Sequence, residues 1–388
     1  MTVASLAWED VCRRRLAAQH LAAPLPVGRF GRMVRDICGL HAQVMSAAGL
    51  AAAVRIDSLP RDAVARALWD ERTLVKVWAM RGTLHLLPAA EFGLYVAALS
   101  NRRHEDDGAW LRYHGLDAKE LPALVDAVAA ALDGCQLTRE ELGREVVRRL
   151  GDSKYAALLA SGWGAVLKPV AFRGLLCFGP SDGNRVTFVR PDQWIGAFDV
   201  PARVAALREV ARRYLAAYGP ATVEEFAGWW GLRAKAVREV FSPGDGFTQV
   251  DVEGRKAWTA GPSPRSSGAV PSPVVRLLPL FDPYTVAVRR EGRRPLDGPE
   301  KDLVYRTAGW ISPVLLVDGE LRGVWEHGET KDGVAVTIRP FQPLDEAVAE
   351  GAVAQAQRLA DHLGAPLSVR FEDEERGFGA APGRNNLP

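Results

Sequence analysis

The same order of elements is predicted three times along the chain: a helix, a short helix, a turn, a further helix and a two-stranded hairpin. The third copy is the clearest, and it opens with apolar residues at helical spacing over 207–218. Thr222 then caps the next helix, and Glu225, three residues later, completes a capping box. Alternating runs on either side of Glu253-Gly254 predict the hairpin. This pattern restricts the fold strongly, because it is the order of a winged helix-turn-helix.

The first two copies follow the same order. In the second, Thr138 and Glu141 repeat the capping box, a longer helical stretch is predicted around Trp163, and a hairpin crosses Pro180 to Asn184. In the first, helices give way to two short strands about Gly82. We therefore predict an α+β fold that begins with three tandem winged-helix units, over residues 1–115, 116–200 and 201–262.

Beyond these units the hydrophobic period changes to two. A Pro/Ser/Gly-rich linker over 263–273 leads into VVRLLPLFDPYTVAVRR, which is predicted to be strand. The Asp318-Gly319 pair between alternating runs predicts a tight hairpin, and a helix over 344–363 precedes a last strand, PLSVRF. This part is predicted to be a small antiparallel β-barrel with one helix over 274–376, followed by a flexible tail over 377–388.

Charge and composition restrict the function classes. The 49 Lys and Arg residues nearly balance the 47 Asp and Glu residues, which excludes a histone-like polycation but leaves room for a clustered DNA-binding face. Every apolar stretch is interrupted before the ~18 residues that a membrane span needs, and the N-terminus lacks the apolar region of a signal peptide. We therefore expect a cytoplasmic protein with no membrane partner, whose four scattered cysteines are reduced thiols.

No cofactor or metal is predicted. The chain has no P-loop, no G-x-S-x-G and no H-E-x-x-H, and its seven histidines lack the spacing of a zinc site. Two classes of protein remain open: a winged-helix transcription regulator, and an enzyme whose chemistry needs only side chains. Regulators usually carry one winged helix per protomer and dimerise, so three units in one chain favour a monomer.

Three blocks carry a resemblance to a known family: GLHAQ at 39–43, MRGTLHLLP at 80–88 and LLPLFDPYTVAVRR at 277–290. With a later block, GWISPVLLVDGELRGVWEH, they make most of the chain similar to the AlkZ-like DNA glycosylases of bacteria. The resemblance implies three winged helices and a β-barrel that form a C-shaped, concave DNA-binding surface. It also implies a monofunctional enzyme that hydrolyses the N-glycosidic bond of N7-alkylated or N3-alkylated purines in double-stranded DNA. Several members of this family protect the producing bacterium against its own genotoxic antibiotic.

The family's catalytic motif, two polar residues flanking an apolar one, falls on His41-Ala42-Gln43. Most members have Gln at the first position, so this chain resembles a branch with His-apolar-Gln. The resemblance implies that His41 and Gln43 are catalytic, and that the substrates are bulky single-strand adducts rather than interstrand cross-links. The rival interpretation is a structural histidine and a capping glutamine, which would suit a non-catalytic protein that binds DNA damage.

The implied chemistry requires few groups. Alkylation at N7 makes the purine cationic, so the base leaves without a protonating acid, and the enzyme needs only to place a water against C1′. Gln43 can hold this water, and the imidazole of His41 can also accept its proton. Side chains two residues apart diverge by about 200° on a helix. Their convergence therefore predicts a locally extended or irregular segment, with Gly39 as the helix stop.

DNA contacts are predicted in two places. The first is the wing that carries Arg81, Thr83 and His85. The second is a strand end near further basic residues, at Arg289 and Arg290. The alternatives are the polar outer face of a strand in the first place and a solvated edge in the second. Four other residues are interpreted as turn, packing or core residues: Asp282, Tyr284, Trp229 and Trp230.

Overall fold

The structure, a computed structural model, describes residues 4–100, 107–162, 164–242, 246–261, 272–287, 296, 298–331 and 333–372. Its helices are α1 (Trp8–Ala18), α2 (Phe30–Asp36), α3 (Met45–Arg55), α4 (Ala63–Ala65), α5 (Phe92–Leu99), α6 (Gly108–Tyr113), α7 (Glu120–Ala131), α8 (Arg139–Leu150), α9 (Lys154–Ala160), α10 (Lys168–Phe172), α11 (Pro191–Trp194), α12 (Arg203–Tyr218), α13 (Val223–Trp230), α14 (Ala234–Val237), α15 (Pro283–Ala287), α16 (Gly298–Val304) and α17 (Glu346–Leu363). Its strands are β1 (Ala4–Leu6), β2 (Leu25–Pro26), β3 (Leu40–His41), β4 (Ile56–Asp57), β5 (Leu74–Trp78), β6 (Leu84–Pro88), β7 (Leu137–Thr138), β8 (Cys177–Asp182), β9 (Arg185–Val189), β10 (Phe247–Val252), β11 (Arg255–Ala260), β12 (Val275–Leu278), β13 (Val314–Val317), β14 (Glu320–Thr330), β15 (Gly333–Pro340) and β16 (Leu367–Phe371). Several sequence predictions lie outside the described residues: those for Arg289, Arg290, most of the linker and the tail; of the helix predicted around Trp163, only Trp163 itself lies outside them.

The described residues form two compact units. The first comprises those of Met1–Val64 and Ala211–Ala381, and the second comprises those of Ala65–Val210. No helix within these described ranges is both long enough and apolar enough to cross a membrane. None of the four cysteines is part of a disulfide bond.

Short sequence patterns correctly predicted a helix cap and two hairpins in the second compact unit. Thr138 caps α8, because its hydroxyl accepts the Glu141 N–H at 3.3 Å while the Glu141 carboxylate accepts the Thr138 N–H at 2.8 Å. This capping box is confirmed. The two predicted hairpins are also present, as the antiparallel pairs β5–β6 and β8–β9.

The longer helix predicted around Trp163 is wrong. Helix α9 ends at Ala160, and α10 begins only at Lys168. Between them Gly164 has φ +60°, and a Cβ on it would lie 2.3 Å from the ring of Trp78. A left-handed residue cannot continue an α-helix, so this close approach to an aromatic ring interrupts the helical pattern.

In the first unit, the elements predicted for the third copy are confirmed. Thr222 caps α13, since its N–H donates to the Glu225 carboxylate at 2.7 Å and the Glu225 N–H donates to its hydroxyl at 3.1 Å. The helix ends at Gly231, with φ +87°, and the hairpin β10–β11 follows. Trp229 and Trp230 are 5% and 0% exposed, so their interpretation as core residues is correct.

The first unit also contains a curled, five-stranded half-barrel of order β12-β13-β14-β15-β16. The purely antiparallel barrel predicted from the sequence is wrong at one pairing, because β16 runs parallel to β15. The cause is α17, which connects the two strands and returns the chain to the same end, as a crossover helix does. Asp345 caps this helix, and its buried Val348, Ala352 and Ala356 pack against Trp325 of the sheet.

The predicted strand through FDPYTVAVRR is also wrong. Strand β12 ends at Leu278, and Pro283–Ala287 forms α15. Phe281 has φ +55°, which stops a strand, and the carboxylate of Asp282 accepts the Tyr284 N–H at 2.9 Å at the start of the helix. Asp282 and Tyr284 are 0% and 1% exposed, which confirms them as turn and packing residues.

Candidate active site

The His41-Ala42-Gln43 segment is irregular rather than helical, one of the two forms that the sequence predicted, and the chain bends at Gln43. Helix α2 stops before it, because Cys38 and Gly39 both have positive φ and the Gly39 N–H donates to the Val34 carbonyl at 2.8 Å. His41 lies in β3, and Gln43 follows two residues later, just before α3. Ala42 between them is completely buried. Side chains two residues apart diverge on a helix, so this non-helical backbone removes the obstacle to convergence of His41 and Gln43.

A buried tyrosine holds the turn that leads into this segment. The hydroxyl of Tyr218 donates to the Ile37 carbonyl at 2.7 Å. Burial raises the pKa of Tyr218 well above its ordinary value, so the hydroxyl remains a donor throughout the neutral range. Tyr218 thereby ties the end of α12 to the residues that reverse the chain ahead of His41.

Three aromatic side chains form a row that starts at the motif. The ring of His41 stacks on Phe281 with centroids 4.8 Å apart and an interplanar angle of 23°. Phe281 in turn lies 5.3 Å from Trp310, at 37°. His41 and Phe281 are 7% and 8% exposed, whereas Trp310 is 38% exposed. The aromatic row therefore fixes the plane of the His41 ring and runs from the interior to the surface.

A buried ion pair holds the loop that carries Phe281. Arg55 donates from both terminal nitrogens to the two carboxylate oxygens of Asp282, each at 2.7 Å, and neither side chain is exposed. The same guanidinium donates to the Ala51 carbonyl at 2.9 Å. Arg55 is the last residue of α3, the helix that begins just after Gln43. Helix α3 therefore connects the motif to the loop whose phenyl ring stacks on it.

Sequence reasoning missed Arg55 and Phe281. The signal for Arg55 was present, because it is the single charge at the end of MSAAGLAAAVR, a helix otherwise made of small and apolar residues. A helix of that composition is buried on most sides, so its charge needs a buried partner. Nothing local indicates that the partner is Asp282.

The first predicted DNA-contact group lies on the β5–β6 hairpin of the second unit. Arg81 is half-buried at the turn, with φ +55°. The Thr83 hydroxyl donates to the Met80 carbonyl at 3.0 Å, and Nδ1 of His85 donates to the Thr83 carbonyl at 3.0 Å. His85 is only 4% exposed, so it does not belong to the polar outer face that was the alternative. The second group, Arg289 and Arg290, lies outside the described residues, and the strand that it was predicted to end is a helix as far as Ala287.

Comparisons with known proteins indicate the same family over most of the chain. Residues 34–362 match the sequence model of the family described as DNA glycosylase AlkZ-like. The interstrand DNA cross-link repair glycosylase of Streptomyces sahachiroi is 36% identical over 375 residues, which cover 94% of this chain and 99% of that protein. The solved structure of Streptomyces sahachiroi DNA glycosylase AlkZ superposes with a TM-score of 0.83 at 35% identity, covering 95% of this chain and all of that one.

Proposed function

The chain belongs to the AlkZ-like family of DNA glycosylases, and we propose that it hydrolyses the N-glycosidic bond of bulky N7-alkylated purines in double-stranded DNA. Its membership makes it an enzyme rather than a transcription regulator. The observation that supports the proposal is the non-helical His41-Ala42-Gln43 segment, in which the His41 ring is held by stacking on Phe281.

The proposed mechanism uses the two polar side chains of the motif. Gln43 holds a water by its amide oxygen, and the imidazole of His41 accepts the proton as the water attacks C1′. The cationic purine leaves without help from an acid, so positioning of the water supplies most of the catalysis. A ring fixed by stacking on Phe281 loses little rotational freedom when it engages this water, which suits a positioning role.

The substrate proposal concerns the size and linkage of the adduct. The resemblance to the branch with histidine at the first motif position favours a bulky adduct on one strand, of the kind that a genotoxic antibiotic produces. The Streptomyces sahachiroi relative is named for interstrand cross-link repair, and its 36% identity makes the cross-link a second candidate substrate. We further propose that the physiological role is self-resistance to such an antibiotic.

The DNA-binding proposal rests on the repeated elements. The order α12, α13, α14 and the hairpin β10–β11 supports a winged-helix unit over 201–262, and the hairpins β5–β6 and β8–β9 support units over 1–115 and 116–200. With the half-barrel over 274–376, the three winged-helix units of one monomeric chain would bind one damaged duplex. Arg81 at its hairpin turn, Thr83, Arg289 and Arg290 are the proposed contacts, whereas the buried His85 is proposed to support the hairpin that carries Thr83.

Base release tests the mechanism. Three duplexes are compared, carrying N7-methylguanine, a bulky N7-alkylguanine or an interstrand cross-link, and abasic sites are counted under single-turnover conditions. Loss of a general base typically lowers the rate by about 10²- to 10⁴-fold, so His41→Ala and Gln43→Ala should each lose activity on that scale. Gln357→Ala, which removes an exposed amide on α17, is the matched control and should behave as the wild type.

The pH profile separates the two proposed roles. His41→Gln restores the residue pair that most of the family has, so it should still place the water but cannot take its proton. The wild-type rate should fall in acid as the imidazole is protonated, while the His41→Gln rate should not follow the same curve. Base release that survives both alanine substitutions would move the catalytic centre elsewhere in the protein.

A further inference from the structure

We propose that Trp310 and Arg306 form a platform that binds a planar aromatic surface of the DNA substrate. This inference rests on the proposed function, since it takes the His41 segment to be the place where the damaged nucleotide is bound. The platform would hold either an ordinary nucleobase beside the lesion or the aromatic part of the adduct. Both present the same chemistry, a flat π-face attached to a phosphate backbone.

The exposure of Trp310 is the first observation. Of the tryptophans that the structure describes, Trp310 alone has more than a third of its surface exposed, at 38%. Exposed indole rings are unfavourable in water and are enriched where proteins bind partners. Trp310 is continuous with the motif, because the aromatic row connects it through Phe281 to His41.

The loop that carries Trp310 is held in one conformation. An antiparallel bridge joins Tyr305 to Ile311, and the Arg306 N–H donates to the Trp310 carbonyl at 2.8 Å. Below the loop, the Ser312 N–H donates to the Val304 carbonyl at 2.8 Å. A ring that is already fixed in place loses little conformational entropy when a ligand stacks on it. The backbone therefore presents the indole ready for binding.

The charge of the loop indicates the kind of partner. Every residue from Arg306 to Trp310 is exposed, and the one charged side chain among them is the cation of Arg306. An exposed arginine beside an exposed aromatic ring fits a nucleic acid, in which a phosphate accompanies each base. A purely apolar partner would gain nothing from this arginine.

Substitutions of Trp310 test the proposal by DNA affinity, measured by fluorescence anisotropy in the full-length protein. Trp310→Leu keeps an apolar side chain against Phe281 but removes the π-face, and it should weaken binding about tenfold, as loss of one stacked base does. Trp310→Phe should restore most of the affinity. Tyr113→Ala is the control, because this residue is 86% exposed and lies outside the aromatic row, and it should bind as the wild type.

The duplexes identify what stacks on the ring. An equal loss on undamaged DNA, N7-methylguanine and a planar polycyclic N7 adduct would assign an ordinary base to the platform. A loss confined to the polycyclic adduct would assign the adduct. In both cases the effect should appear in KM more than in kcat. Wild-type affinity of Trp310→Leu on all three duplexes, with its fold confirmed by circular dichroism, would overturn the proposal. Because affinity is measured without base release, failure of the proposed chemistry would leave this test intact.

Discussion

Removing one partner of the Arg55–Asp282 pair should destabilise the protein by about 3 to 5 kcal/mol, because the other partner remains as a buried, uncompensated charge. The structure supports a value in this range. Both side chains are completely buried, and two charge-assisted hydrogen bonds of 2.7 Å join them, each typically worth about 1.5 to 3 kcal/mol. Arg55→Met and Asp282→Asn remove the partners one at a time with little change of volume.

The assay is equilibrium unfolding in urea. The free energies of unfolding are compared between variants whose dependence on urea concentration has the same slope. The control is an ion pair of the same residue types within the same unit, Arg358 with Asp57 at 2.9 Å, whose side chains are 39% and 54% exposed. Solvent screens this pair, so Arg358→Met should cost about 0 to 1 kcal/mol. The difference between Arg55→Met and Arg358→Met measures what burial adds.

A double variant completes the argument. Arg55→Met combined with Asp282→Asn removes both charges, so it should be more stable than either single variant. Base release should fall in all three, because Asp282 fixes the loop that carries Phe281 against His41. The reasoning is refuted if Arg55→Met costs no more than Arg358→Met, or if the double variant loses the sum of the two single losses.

Two further predictions concern stability. Gly319→Ala should lower the free energy of unfolding in urea by at least about 1 kcal/mol more than Gly254→Ala does. Both glycines have φ +88°, but only a Cβ on Gly319 would clash, at 2.7 Å from the Cβ of Cys12. Equal losses for the two variants would contradict this prediction. Burial lowers the pKa of Lys76 from 10.5 to about 8, so between these values the unfolded chain binds more protons and the free energy of unfolding should rise with pH. Lys76→Met should therefore stabilise the protein at pH 7, by roughly 1 to 3 kcal/mol, and abolish that rise, whereas exposed Lys235→Met should do neither.

The features predicted correctly from the sequence depend on contacts between near neighbours. The capping boxes at Thr138 and Thr222 each involve a glutamate three residues later, and the non-helical motif follows from the spacing of His41 and Gln43 together with Gly39. These contacts are specified within a few residues, so pattern and propensity are sufficient to find them.

The features that sequence reasoning missed depend on distant partners. The FDPY segment has a strand-like pattern, but Phe281 adopts a positive φ in a loop anchored by Arg55, and no local rule indicates that anchor. The parallel return of β16 follows from the position at which α17 packs on the sheet. The stacking of His41 on Phe281 likewise brings together residues that are far apart in the sequence, so the candidate site could be predicted only as a motif and not as a geometry.

The Arg55–Asp282 pair also has a consequence for biosynthesis, because 227 residues separate its partners. At a translation rate of ~5–20 residues per second, the ribosome makes Arg55 roughly 10 to 45 s before Asp282. During that interval the nascent chain carries the His41 segment without the loop that orders it. On the proposed mechanism the enzyme becomes competent only after Asp282 has been made, and fragments that terminate before Phe281 should release no base.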